Sequence, residues 1–280
     1  MTWTLSEDVV AYAAAVRPLL AQSPAEHTIA LTIIEYALQR SELLDPPELY
    51  GWWTDADGEV TGAMLHTPGY EPLLEKAPDD SLRPLLDALT VQGHRLSGVN
   101  GPVREALTFA AVSASALGCR AELGHVIRLF RLDTLRPPDP MPAGVARLAG
   151  PDDESLLVDW VQAFSDEAHA PLTDAVDSVR RRLDHDGLRL WLDDAGRPVS
   201  MAAQTLPAFG ISRIGPVYTP VPERRHGYGA AVTAAVAANL LDDGLTPVLF
   251  TDLANPTSNA LYQRLGFSPI SDRVWLKFRP

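Results

Sequence analysis

The stretch PERRHGYGAAV, residues 222–232, decides which fold this sequence predicts. Two arginines and a histidine stand side by side at residues 224–226, although the chain as a whole carries a formal net charge of -13. Gly227 and Gly229 follow, and the small apolar residues after them predict a helix. Amides at the start of a helix lack partners within it and attract anions, and glycine lets a ligand approach the backbone closely. The stretch predicts a phosphate or pyrophosphate site with an arginine beside it; the alternative is a basic loop that binds nothing.

The common nucleotide-binding fingerprints do not fit this stretch. It contains no Gly-x-Gly-x-x-Gly pattern, and no lysine follows the glycines as the phosphate-binding loop of P-loop proteins requires. We therefore expect neither a Rossmann dinucleotide-binding domain nor a P-loop domain.

A second informative stretch is NPTSNALYQRLGF, residues 255–267. Asn255 is a favoured residue for capping the start of a helix, and Pro256 is a favoured first helical residue. Gly266 can end the helix in a left-handed turn. Taken alone, the stretch predicts a short, well-capped helix that carries Tyr262.

Together, the two stretches resemble the GNAT superfamily of acetyl-CoA-dependent N-acetyltransferases. The shared pattern is an Arg-x-x-Gly-x-Gly turn after a strand, followed by Asn-x-x-Ser-x-x-Leu-Tyr-x-x-x-Gly-Phe. The resemblance covers about residues 145–278, including the order of the elements predicted there. We predict strands at residues 145–148, 188–192, 199–205, 211–218, 247–253 and 274–278, and helices at 152–167, 174–183, 230–241 and 256–265. This mixture indicates an α/β or α+β fold with a mixed, mostly antiparallel twisted sheet flanked by helices.

The resemblance implies a role for each matching residue. The turn would wrap the CoA pyrophosphate, the backbone of Val217 would pair with the pantetheine arm, and Asn255 would contact the same arm. Tyr262 would lie near the CoA sulfur and donate a proton to the leaving thiolate, because a phenol with an ordinary pKa of about 10 is protonated at neutral pH. The implied cofactor-binding residues are Val217, Tyr218, Arg224, Arg225, His226, Gly227, Tyr228, Gly229, Asn255 and Tyr262.

The resemblance also implies the reaction, which is direct attack of a neutral amine on the acetyl carbonyl without a metal. Strand amides near Val217 would stabilise the oxyanion. A general base is less well marked by the sequence. Asp166, Glu167 and His169 are the candidates, of which we choose Glu167, and a chain of water molecules is the alternative.

A proline-rich stretch at residues 135–144 divides the chain. Residues 53–68, WTDADGEVTGAMLHTP, are echoed by residues 191–207, WLDDAGRPVSMAAQTLP. Each has a tryptophan, an Asp-rich turn with glycine and then an apolar strand, which predicts the same hairpin twice. We therefore predict a duplicated fold, with a first domain at 1–134, a linker at 135–144 and a second domain at 145–280.

The first half contains no Arg-x-x-Gly-x-Gly turn and no counterpart of the Asn-to-Phe stretch. It is expected to be a degenerate GNAT-like domain that has lost cofactor binding and stabilises the active half. The whole chain is then predicted to be an N-acetyltransferase that acts on a primary amine of a small molecule or peptide. The alternatives are a non-catalytic acyl-CoA-binding or regulatory module, and an acetyltransferase of protein N-termini or lysines.

The composition of the chain limits the partners and the cellular location that we expect for this activity. The acidic net charge disfavours nucleic acid as a partner, since phosphate binding needs a basic face. No apolar run is long enough for a membrane span, and the first residues carry acids where a signal peptide needs basic residues. A single cysteine, Cys119, excludes an intrachain disulfide and favours the reducing cytoplasm. A homodimer is left open.

Overall fold

The computed structural model describes residues 1–39, 49–67, 69–168, 172 and 174–280. The chain forms two compact units. Unit one comprises Met1–Leu129, Asp252–Ala254 and Ile270–Pro280, and unit two comprises Phe130–Thr251 and Asn255–Pro269. The predicted division of the chain into domains 1–134 and 145–280 with a linker at 135–144 stays a prediction. The C-terminal residues 270–280, which that prediction places in the second domain, lie in unit one.

The first half of the chain runs through six strands and four helices. They are β1 (Thr2–Ser6), α1 (Val9–Leu20), α2 (Thr28–Gln39), β2 (Leu49–Thr54), β3 (Val60–His66), β4 (Leu73–Leu74), α3 (Asp79–Val91), β5 (Gly98–Pro102), α4 (Val103–Leu117) and β6 (Arg120–Leu132).

The second half repeats the same order of elements. They are β7 (Val145–Leu148), α5 (Glu154–Ala168), α6 (Ala175–Leu183), β8 (Leu188–Leu192), β9 (Pro198–Gln204), β10 (Ile211–Tyr218), α7 (Tyr228–Asp242), β11 (Thr246–Asp252), α8 (Pro256–Arg264) and β12 (Phe267–Arg279). A repeat of this length supports duplication of one ancestral fold.

The two predicted hairpins have turns with the same hydrogen bonds. In the β2–β3 turn, Asp55 Oδ1 accepts hydrogen bonds from the amides of Asp57 and Glu59, at 3.0 and 2.9 Å. In the β8–β9 turn, Asp193 Oδ1 accepts from the amides of Ala195 and Arg197, at 3.0 and 2.8 Å. Because an Asp side chain at this position satisfies the turn amides locally, both sequences fold the same way.

Both units have mixed sheets that are mostly antiparallel, as predicted. Unit one has the order β1-β2-β3-β4-β5-β12, in which only β4 and β5 of the described pairs run parallel. Unit two has the order β7-β8-β9-β10-β11, in which only β10 and β11 of the described pairs run parallel. The last strand was predicted too short: β12 begins at Phe267, because the left-handed Gly266 (φ +97°) turns the chain directly from α8 into the sheet.

In unit two, α7 packs its small apolar residues against the sheet. Ala231, Val232, Ala237 and Leu240 are all almost completely buried. Short side chains bring the helix backbone close to β9 and β10, so the start of α7 has a fixed position beside the end of β10. Neither α7 nor any other helix in the described ranges is long and apolar enough to cross a bilayer.

Candidate functional site

The described pairing of β10 with β11 in unit two ends before the last residues of β10. The two strands are parallel neighbours from Ile211, opposite Thr246, to Ile214, opposite Leu249. After an irregularity in register, Val217 pairs with Ala202 of β9 on the other side. Among the described strand pairs, no residue of β11 pairs with β10 beyond Ile214. One backbone edge of β10 is therefore free there to pair with an extended ligand. Pairing of the Val217 backbone with the pantetheine arm stays a prediction.

The predicted turn connects this edge to α7. A short 3-10 turn at Val221–Glu223 leads into Arg225 and Gly227, whose φ angles of +70° and +85° are both left-handed. The first backbone bond of the helix runs from the Ala231 amide to the Gly227 carbonyl, at 3.0 Å. The amides before Ala231 therefore make no hydrogen bond within the helix. Where left-handed residues occur among such amides, the backbone forms a concave surface that can bind an anion.

A side chain would be unfavourable at each of the two glycines of the turn, for a different reason at each position. Gly227 has a backbone conformation that other residues rarely adopt. Gly229 has no such constraint, but a Cβ there would lie 3.2 Å from Thr219 Oγ1. The Thr219 hydroxyl is in turn 2.8 Å from Ser200 Oγ, which also donates to the Tyr218 carbonyl at 3.0 Å. A completely buried serine thus fixes the end of β10 beside the turn.

The side chain of Arg224 packs over the end of β10. Its Nε donates to the Thr219 carbonyl at 2.8 Å, and its Nη2 donates to Glu167 Oε2 at 2.5 Å. The guanidinium carbon lies 5.8 Å from the centre of the Tyr218 ring. Arg224 is therefore beside the predicted pyrophosphate site, but it is engaged with a carboxylate.

Glu167 is the predicted base that lies nearest this turn. It belongs to the last turn of α5, and its Oε1 accepts a hydrogen bond from the Tyr218 hydroxyl at 3.1 Å. Burial, followed by the hydrogen bond to Glu167, raises the pKa of Tyr218. Asp166 is exposed and bonded to Gln162 at 2.9 Å, so it does not share this cluster. His169 lies outside the described residues.

The other side chains of the turn are exposed. Arg225 and His226 both face solvent. The His226 ring lies 5.5 Å from the ring of Tyr228, and its Nδ1 is 3.2 Å from the Glu223 carbonyl. Of the three basic side chains of the turn, Arg224 is therefore the one that contacts Glu167 and Tyr218.

The predicted helix with Tyr262 lies in the same unit. The Tyr262 ring packs edge-on against Phe267, with 6.1 Å between ring centres, and burial raises the pKa of its phenol to about 12. Asn255 caps the helix as predicted, since its Oδ1 accepts from the Ser258 amide at 3.1 Å. Its carboxamide nitrogen remains available to donate to another group.

Two polar contacts in unit two were missed by the sequence analysis. Thr251 donates to Asn259 Oδ1 at 2.5 Å, which ties α8 to β11. Asn259 Nδ2 also donates to the Asn255 carbonyl at 2.8 Å. The sequence analysis also missed Ser200. The feature of the sequence that could have indicated it is a single hydroxyl side chain within the apolar strand β9.

Unit one has no equivalent of the glycine turn between β4 and α3. The start of α3 carries Asp79 and Asp80 in its first turn, which occupy the position where the helix would attract an anion. Arg273 instead donates to the Leu74 carbonyl at the end of β4, at 3.1 Å, and to Glu75 Oε2 at 3.0 Å. A buried ion pair therefore stands where unit two offers its turn.

Comparison with known proteins agrees with this fold. Residues 194–276 match the family model described as FR47-like protein. The mycothiol acetyltransferase of Salinispora tropica is 33% identical over 195 residues, which cover 64% of this chain and 64% of that enzyme. The match therefore spans less than two thirds of the relative's own length.

Solved structures with the same fold cover nearly the whole chain. A GNAT-family acetyltransferase from Colwellia psychrerythraea has a TM-score of 0.66 at 12% identity, covering 100% of both chains. A GCN5-related N-acetyltransferase from Sphaerobacter thermophilus has a TM-score of 0.64 at 20% identity, covering 99% of this chain and 96% of that one. The chain therefore has the fold of these GNAT-family structures, and its sequence is similar to the FR47-like family model and to the mycothiol acetyltransferase of Salinispora tropica.

Proposed function

We propose that unit two binds acetyl-CoA and catalyses transfer of the acetyl group to a primary amine. The observation that carries this proposal is the combination of a free edge on β10 with a glycine-bearing turn immediately after it, in which Arg225 and Gly227 are left-handed. An extended pantetheine arm suits the edge at Val217, and a pyrophosphate suits the amides of residues 225–229. Gly227 and Gly229 keep that surface clear of side chains.

Acetyl-CoA supplies an activated thioester, whose acetyl group passes to nitrogen as the carbon–sulfur bond breaks and the amine loses a proton. Tyr262 would supply a hydrogen bond to the departing sulfur. With a pKa of about 12, its phenol stays protonated throughout the physiological pH range. A thiol is the stronger acid, with an ordinary pKa near 8.5 against about 10 for a phenol, so complete proton transfer from Tyr262 would be unfavourable. Tyr262 therefore acts as a hydrogen-bond donor that stabilises the thiolate.

Glu167 would face the amine. Its carboxylate lies beside the end of β10 and can attract an ammonium group and accept a proton from it, directly or through water. A small molecule or peptide is the proposed acceptor. Since a relative is named mycothiol acetyltransferase, the acceptor used by that enzyme is the first compound to test.

Unit one is proposed to support unit two without binding cofactor. The acidic start of α3 and the buried Arg273–Glu75 pair both oppose binding of a pyrophosphate there. Duplication followed by loss of one site explains why the order of elements survives while the motif does not. The single cysteine supports the further proposal of a cytoplasmic location.

The test is acetyl transfer to a panel of amines, with Tyr262→Phe as the comparison. An enzyme of this type should transfer acetyl to at least one amine, and Tyr262→Phe should lower kcat while leaving acetyl-CoA affinity within about twofold, since the phenyl ring keeps its contact with Phe267. Tight acetyl-CoA binding with no transfer to any amine would instead indicate a binding module.

A further inference from the structure

A pocket of about 310 Å³ lies within unit one. It is bordered by the end of α1, the connection from α1 to α2, the residue after β4, the start of α4 and the middle of β12. Pockets that bind small molecules begin at about 300 Å³, so this one has room for a ligand of about ten groups the size of a water molecule. Its lining residues all belong to unit one, apart from the site that we propose in unit two.

The least exposed polar residues that line the pocket are His27 and Arg273. The side chain of His27 is 8% exposed, and its Nδ1 lies 2.7 Å from Oε2 of the completely buried Glu75. Burial raises the pKa of Glu75, but Arg273 and His27 together lower it by more, so the carboxylate is ionised and can only accept hydrogen bonds. Nδ1 is therefore the donor to Glu75, and in the neutral ring the other nitrogen of His27, Nε2, is an acceptor.

Nε2 of His27 forms no hydrogen bond among the described residues. Glu75 does not border the pocket, so the edge of the ring away from it, which carries Nε2, faces the pocket. Arg273 keeps this arrangement in place, because it donates to the Leu74 carbonyl at 3.1 Å and to Glu75 Oε2 at 3.0 Å. An acceptor that is taken out of bulk water costs free energy unless a donor reaches it, so Nε2 is a suitable partner for an N–H group of a ligand.

Charged side chains of both signs line the rest of the pocket. Asp272 is paired with Arg128 at 2.7 Å. Glu26, Lys76 and Glu105 form no ion pair and no side-chain hydrogen bond within the part of the chain that the structure describes. A ligand with only an ammonium group would be repelled by Lys76, and one with only a carboxylate would be repelled by Glu26 and Glu105. A small zwitterion complements all three groups.

We propose that this pocket of unit one binds a free α-amino acid. The ammonium group of the amino acid lies against Glu26, Glu105 and Nε2 of His27. Its carboxylate lies against Lys76. The inference goes beyond the proposed function and is independent of it, since none of these residues lies in unit two. A ligand of about ten non-hydrogen atoms fills the pocket, which corresponds to an amino acid with a medium-sized or large side chain.

The chemistry of the ligand is tested first. Thermal melting of the full chain with each standard L-amino acid separately selects the one that stabilises the chain most. Calorimetry then compares that amino acid with its methyl ester, which lacks the carboxylate, and with its N-acetyl form, which lacks the ammonium group. Loss of either charged group should weaken binding about 3- to 10-fold. Unchanged affinity of either derivative, or no binding of any amino acid, overturns the proposal.

Variants then locate the amino acid. Lys76→Met should weaken binding of the amino acid about 3- to 10-fold but not that of its methyl ester, and Glu105→Gln should weaken binding of the amino acid but not that of its N-acetyl form. Glu59→Gln is the matched control, because Glu59 is an exposed carboxylate of unit one outside the pocket. An equal loss in this control, or loss in Glu167→Gln without loss in Glu105→Gln, overturns the proposal. Acetyl-CoA affinity should be unchanged in Lys76→Met and Glu105→Gln, so a failure of the proposed function is measured separately.

Discussion

Replacing Gly227 with aspartate, and separately with asparagine, isolates the effect of charge at the start of α7. Gly227 has a φ of +85°, and a Cβ added there would lie 3.6 Å from its nearest neighbour, Cγ of Pro142, which is an ordinary contact. Space is therefore available for either side chain. Both variants should lose about 1 kcal/mol of stability, because asparagine and aspartate adopt left-handed conformations more readily than other residues but at some cost.

The two variants differ only in charge, and this difference fixes the expected effect on affinity. A carboxylate at position 227 would stand beside the amides that we propose hold the pyrophosphate. Two like charges about 5 Å apart repel by about 3 kcal/mol at an effective dielectric constant of 20. Exposure and salt reduce this to about 1–2 kcal/mol, so Gly227→Asp should bind acetyl-CoA about 5- to 30-fold more weakly than Gly227→Asn.

Calorimetric titration measures both affinities, and thermal melting measures the shared loss of stability. Melting temperatures should fall by about 2–4 °C in both variants. Equal affinities of the two variants would refute the reasoning, since they would show that no anion binds near position 227.

Three further changes test other parts of the account. Tyr262→Phe removes the hydrogen bond to the departing sulfur and should lower kcat about 100-fold in a stopped assay for free thiol, with acetyl-CoA affinity within about twofold; an unchanged kcat would remove Tyr262 from the chemistry. Asn255→Asp should keep the helix cap and the melting temperature but weaken acetyl-CoA binding a few-fold in calorimetry, and unaltered affinity would limit Asn255 to capping. Arg273→Met should destabilise the fold by about 3–5 kcal/mol in urea titration, and Glu75→Leu added to it should restore most of the loss; a double variant as unstable as the single one would contradict a role in neutralising Glu75. The Oε2 atom of Glu75 also lies 2.7 Å from His27 Nδ1. Burial raises the pKa of Glu75, but Arg273 and His27 together lower it by more, to below its ordinary 4.5. The stability that these contacts contribute should therefore be complete above pH 4.5 and should be lost as the pH falls through the lower pKa of the folded protein.

Local signals in the sequence were enough to predict most of unit two. Asn255 and Gly266 mark the two ends of α8 because capping depends on the residues at the helix ends themselves. The turn at residues 222–232 was found for the same reason, since glycine and arginine act there through the adjacent backbone. The strands β7, β8 and β10 have the predicted bounds.

Contacts between distant residues could not be predicted in this way. Glu167 and Arg224 are bonded although they are 57 positions apart, and no pattern in either segment specifies the other. Ser200 reaches the carbonyl of Tyr218 only because β9 and β10 are neighbours with a particular register. The placement of residues 270–280 in unit one likewise depends on pairing with β5, which is far away in the sequence.

The most direct test of the central claim is calorimetric titration of acetyl-CoA into the wild-type chain. The account predicts saturable binding with a stoichiometry of one per chain, because unit two has the open edge and glycine turn while unit one has an acidic helix start. Binding of two equivalents would contradict the assignment of unit one as a supporting domain. Absence of binding would contradict the proposed function itself.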